Sequence, residues 1–110
     1  MKGTNLGEFE ELVLLTVGIL QEEAYSIAIA KEIKRVTKRH VIFAVVHSAL
    51  NRLEEKGYVD SKLGGATQER GGRSKRIFTI SAAGKKALLR SKTQRDALWS
   101  LMPKVVFKNI

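Results

Sequence analysis

Glu69-Arg70-Gly71-Gly72-Arg73-Ser74-Lys75-Arg76-Ile77-Phe78-Thr79-Ile80-Ser81-Ala82-Ala83-Gly84 decides the fold of this chain. The first half is a basic loop in which Arg70, Arg73, Lys75 and Arg76 face only one anion, Glu69. Gly71 and Gly72 let the backbone turn sharply and come close to a partner. Ile77-Phe78-Thr79-Ile80 is β-branched and aromatic, which suits a strand. Ser81 then stands where a hydroxyl caps the free N–H groups of a new helix. A positive hairpin tip carried on a strand pair suits a polyanion. It has the shape of the wing of a winged helix.

The rest of the chain is asymmetric in charge. Its 110 residues carry a net +9, but residues 1–30 hold one cation and five anions, so the remaining eighty hold a net +13. Such a division points to nucleic acid or an anionic surface as partner. There is no cysteine, which removes disulfides, thiolate metal sites and a cysteine nucleophile. The apolar run Leu12–Leu20 is too short to span a bilayer, and it follows three glutamates. A soluble, cytoplasmic protein that does not engage membranes is the expectation.

Outward from the wing, the periodicities predict four helices. The first runs from about Leu6 to Gln21, with Leu6, Phe9, Val13, Val17 and Leu20 on one face. Leu12, Leu15 and Ile19 form a second apolar stripe, which needs cover from elsewhere. The second helix is expected from Ser26, as its cap, to Thr37, with Ile29, Ile33 and Val36 inward. The third covers Phe43 to Lys56 and stops at Gly57. Tyr58–Leu63 and Lys75–Ile80 make the hairpin. The fourth helix begins at Ser81 and ends near Met102, before Pro103. The fold class is mainly α (α+β): a winged helix-turn-helix over residues 1–80, a C-terminal dimerisation helix over 81–103 and a tail over 104–110.

The third helix is the expected reader. Opposite Val46, Leu50 and Leu53 stand Ala44, His47, Ser48, Asn51, Arg52 and Glu55. Ser48, Asn51 and Arg52 suit base edges, and His47, Arg70, Arg73, Lys75 and Arg76 suit phosphates or the minor groove. No metal site is expected from two histidines without cysteine, no cofactor is implied, and no catalytic constellation is present. Gly64-Gly65 and Gly71-Gly72 join strands and open no helix, so they are not a phosphate cradle.

Leu6–Leu15, Leu50–Val59 and the quoted stretch through Gly84 together resemble the PadR family of bacterial transcriptional regulators. The resemblance runs from Leu6 to about Leu101 and is closest to the smaller members with a single C-terminal helix. It implies a homodimer, usually a repressor of double-stranded DNA operators, with a small aromatic compound or antibiotic as effector in some members. The wing cations match the family pattern. The reading helix departs from it: Ile42, Ala44 and His47 stand where members often have serine, glycine and tyrosine.

A homodimeric DNA-binding repressor, without enzymatic activity, is therefore expected. Leu6, Phe9, Leu12, Leu88, Leu98, Trp99, Leu101 and Met102 are the expected subunit contacts, with Trp99 close to an effector pocket. The competing reading is a winged-helix interaction module for protein or RNA, without operator recognition. A third is a ligand carrier that has lost its operator.

Overall fold

The structure is a computed structural model that describes residues 5–64 and 75–109. Its first helix, α1, is Glu8–Leu20. Glu10, in the first turn, reaches back so that the Gly7 N–H donates to its Oε1 at 2.9 Å, half of a capping box. Val13, Leu14 and Val17 are buried, while Leu15 and Ile19 stay exposed. The two-sided apolar pattern thus resolves into a core face and an uncovered stripe. Leu14 was absent from the expected inner face, yet it has no exposed surface at all.

After a 3₁₀ turn at Gln21–Glu23, α2 spans Ser26–Thr37. Tyr25, not Ser26, is its N-cap, so the expected serine cap is one position off and no side chain takes that role. Ile29 and Ile33 are buried as expected, but Val36 is not. It sits at the margin of the helix's apolar face, beside Leu15 and Ile19 of α1. That face therefore extends into the uncovered stripe.

The third helix, α3, is Phe43–Glu55 and buries Val46, Ala49, Leu50 and Leu53. It ends as glycine chemistry dictates. Gly57 takes φ +79°, its N–H donates to the Glu54 carbonyl at 3.0 Å, and the Tyr58 N–H donates to the Leu53 carbonyl at 2.9 Å. These two bonds complete a Schellman motif and turn the chain directly into the hairpin. Strands β1 (Val59–Leu63) and β2 (Arg76–Ile80) pair antiparallel, with Val59 opposite Ile80 and Ser61 opposite Phe78. Phe78 is buried, and its N–H donates to the Ala24 carbonyl at 2.9 Å, tying the sheet to the α1–α2 connection.

The last helix, α4, covers Ala82–Leu101. Ser81 anchors its start three ways. Its Oγ accepts from the Gly84 N–H at 3.0 Å and donates to the Gly57 carbonyl at 2.6 Å, and its own N–H donates to the Tyr58 carbonyl at 3.0 Å. Gly84 permits this docking, because a Cβ there would collide with the Tyr58 carbonyl oxygen. Beyond Leu88 the helix leaves the core, and the molecule measures 57 × 34 × 22 Å. Past Pro103 a 3₁₀ turn, Lys104–Phe107, folds back so that Phe107 stacks on Trp99 at 5.8 Å. The expected tail is thus partly structured.

Candidate nucleic-acid interface

The helix pair α2–α3 and the hairpin share one hydrophobic core, which holds α3 with its other face exposed. Ala44, His47, Ser48, Asn51 and Glu55 are all exposed along that face. His47 lies beside Phe43, with ring centroids 6.3 Å apart. The set spans three turns and offers an imidazole, a hydroxyl and an amide at the spacing of one helix face. Ile42, the N-cap residue, supplies no side-chain hydrogen bond to the helix start.

Arg52 stands apart from this set. Its Nε donates to Glu10 Oε2 at 3.0 Å, so the guanidinium leans toward α1 and only half its side chain is exposed. The same carboxylate accepts from Lys56 Nζ at 2.7 Å, and Lys56 also reaches the Asn5 carbonyl at 2.9 Å. Burial alone would raise the Glu10 pKa, but the Lys56 ammonium, the Gly7 N–H and the Arg52 guanidinium outweigh it and hold the carboxyl below its ordinary range. Glu10 therefore stays charged and pins both ends of a strut between α1 and α3. Sequence reading gave no hint of this strut, since its partners lie more than forty positions apart.

At the loop end of the hairpin, Lys75 places its ammonium 4.1 Å from the centroid of the Tyr25 ring. Arg76 donates from Nη1 to Ser61 Oγ at 2.8 Å, and Ser61 donates to Glu54 at 2.7 Å. Arg76 is thus tied to the end of α3, whereas Lys75 lies against the α1–α2 connection. Arg70 and Arg73 lie outside the described residues. Arg39, from the α2–α3 connection, forks onto Glu8 at 2.8 and 3.0 Å and covers the Phe9 ring.

Of the expected subunit contacts, Leu6, Phe9 and Leu88 pack partly against their own core, and Leu12 is half-buried. Leu98, Trp99, Leu101 and Met102 remain 70%, 61%, 77% and 40% exposed. Between α1 and α4 lies an open groove of about 690 Å³, bounded by Leu15, Leu88, Leu89 and Trp99. The Arg95–Glu11 ion pair at 2.7 Å closes one edge of it. Leu89 and the Val105-Val106-Phe107 turn add exposed apolar surface that the sequence pattern had not marked.

Among the described residues no single helix is long and apolar enough to cross a membrane, and no cluster of His, Cys, Asp or Glu is arranged to hold a metal. No curated protein sequence matches the chain. The sequence profile of the Transcriptional regulator PadR-like family matches residues 14–90, from the buried half of α1 through the hairpin into α4. The chain belongs to the PadR-like family. Its PadR-like architecture recurs in solved structures. A PadR family transcription regulator from hypervirulent Clostridium difficile R20291 is 26% identical, with a TM-score of 0.64 over 86% of this chain and 97% of that one. A PadR family transcriptional regulator from Eggerthella lenta DSM 2243 is 21% identical, with a TM-score of 0.69 over 93% and 88%. Bacillus subtilis PadR in complex with operator DNA is 13% identical, with a TM-score of 0.61 over 94% and 52%. The last two likenesses concern the fold. A PadR-like chain is a transcriptional regulator and not an enzyme, and the mainly α winged-helix class expected from the sequence is the one found.

Proposed function

We propose that this PadR-like chain works as a cytoplasmic homodimeric repressor that binds double-stranded operator DNA. The observation that carries the reading is the exposed polar face of α3, with Arg76 of the hairpin linked through Ser61 to Glu54 at the end of that helix. Asn51 and Ser48 take base edges in the major groove, and His47 takes the backbone. Arg52, tied to Glu10, serves at the flank of the helix, toward a phosphate. Lys75 and Arg76, with Arg70 and Arg73, follow phosphates or the adjacent minor groove.

The uncovered stripe of α1 and the far half of α4 support the dimer. Leu98, Leu101 and Met102 are too exposed to belong to a monomer's surface without reason, and Trp99 beside them shares the groove with Leu15 of the uncovered α1 stripe. Leu12 borders that stripe, whereas Leu6, Phe9 and Leu88 contribute from the edge of the core. The groove beside Trp99 is large enough for a small aromatic effector, whose binding there would alter how two copies are joined.

A gel-shift titration against fragments of DNA flanking the chain's own gene, with random duplex and RNA as competitors, tests the reading. One flanking fragment should outcompete random duplex, and affinity should fall steeply with salt, by about 0.9 in log K for each phosphate neutralised per unit of log salt. Equal competition by RNA and every duplex would support the interaction-module reading instead. Tryptophan emission during titration with planar aromatic compounds tests the effector, and an emission unchanged across the panel would exclude the groove as its site.

A further inference from the structure

The start of α3 is apolar where the rest of its free face is polar. Phe43 is 54% exposed at the first helical position, and Ala44 follows it, also exposed. The first polar side chains on that face, His47 and Ser48, come a full turn later. The neighbouring apolar residues do not share this outlook. Ile42 and Val45 border the hollow that Phe9 and Arg39 form on the α1 side. Phe43 lies on the other side, against the His47 ring at 6.3 Å. Ala44 precedes Ser48 by one turn and Asn51 by two.

Nothing in the monomer's core requires a phenylalanine there, and exposing its ring to water is unfavourable. The N-terminal residues of a reading helix are the ones that approach base edges. Among the major-groove features of the bases, the thymine C5 methyl is the one bulky apolar group, beside hydrogen-bond donors and acceptors. A phenyl ring set over a donor or acceptor strips its water and returns no hydrogen bond. Over a thymine methyl the ring loses nothing polar and buries apolar surface.

We propose that Phe43, with Ala44 beside it, reads thymine methyl groups and so determines specificity at the outer part of the half-site. This rests on the DNA-binding reading above. Asn51 and Ser48 then discriminate by hydrogen bonding further along, and His47 braces the Phe43 ring as well as meeting the backbone. The half-site carries thymine where the first turn of α3 enters. A T·A pair replaced by C·G there loses the contact, and 5-methylcytosine in the same place restores part of it.

The test uses the full chain and a duplex selected from a random pool by repeated binding. Each thymine of the selected half-site is replaced singly by deoxyuridine, which removes the methyl group and leaves pairing intact. At one or two positions the wild-type chain should bind about fourfold more weakly, the effect of losing one buried methyl-sized group. Phe43→Ser should bind the thymine and uracil duplexes equally, whereas Phe43→Leu should keep the difference. Circular dichroism confirms that both variants fold. Wild-type indifference to every uracil, with selectivity among duplexes intact, would overturn the methyl readout and leave the DNA-binding reading standing. A uracil penalty unchanged in Phe43→Ser would assign the methyl contact elsewhere and overturn the role of Phe43. Failure to enrich any duplex would remove both readings.

Discussion

Replacing Glu10 with glutamine keeps the side chain's shape and removes its charge. The amide oxygen can still accept from the Gly7 N–H, but it cannot also hold Lys56 and Arg52 as a carboxylate does. The Lys56 bond, 2.7 Å long between two largely buried side chains, is charge-assisted and contributes about 1.5–3 kcal/mol. Arg52 is half exposed, so solvent limits its share to less than about 1 kcal/mol. Glu10→Gln should therefore cost about 2–3 kcal/mol near neutral pH, which lowers Tm by about 10–15 °C for a domain of this size. The deficit should also depend on pH in a defined direction. The Glu10 pKa is lowered in the folded state, so its stabilisation is complete above the ordinary value of 4.5 and is lost as the pH falls through the folded value. Urea unfolding of both proteins at about pH 7 and about pH 3.5 measures this, because the other carboxylates act equally in each. The two curves should converge toward acid. A deficit that stays constant over that range, or one below about 0.5 kcal/mol at neutral pH, would refute the strut as a charged element.

Gly84→Ala should destabilise by about 1–3 kcal/mol, since the new methyl group meets backbone and not a movable side chain; thermal unfolding followed by circular dichroism reads it, and an unchanged Tm would mean that α4 does not dock as closely as described. Leu98→Lys combined with Leu101→Lys should leave the winged-helix core folded and shift sedimentation from dimer to monomer; a double variant that still sediments as a dimer would place the subunit contact away from the end of α4. Asn51→Ala should narrow the affinity gap between the selected duplex and random DNA by about 1–3 kcal/mol. An unaltered gap would move base readout off Asn51.

Much of the fold was legible because its punctuation is local. Gly57 and Ser81 announce a helix end and a helix start through their own backbone and side-chain chemistry, and both stand where that chemistry is used. The inner face of α3 follows from spacing alone. Errors arose where tertiary contacts override local signals. Ser26 looks like a cap, but the chain enters α2 one residue earlier, through Tyr25. Val36 keeps the helical spacing of Ile29 and Ile33, yet the core ends before it. The candidate site was legible as a list of residue types and not as a network. Arg52 has the composition of a base reader, and only the fold brings Glu10 to it.

The junction at Ser81 and Gly84 gives α4 the properties of a lever. Its fulcrum is stiff, clamped by hydrogen bonds from Ser81 to the Gly57 and Tyr58 carbonyls and by backbone contact with Tyr58, while its arm beyond Leu88 reaches about 20 Å at roughly 1.5 Å per residue. A tilt of about 5° moves Leu101 by about 1.7 Å, about half the spacing of roughly 3.4 Å between stacked base pairs. If two copies join at their arms, a change too small to disturb either core resets the phase of one reading helix against the other. Such gearing would convert a modest event in the proposed effector groove beside Trp99 into a mismatch with the double helix.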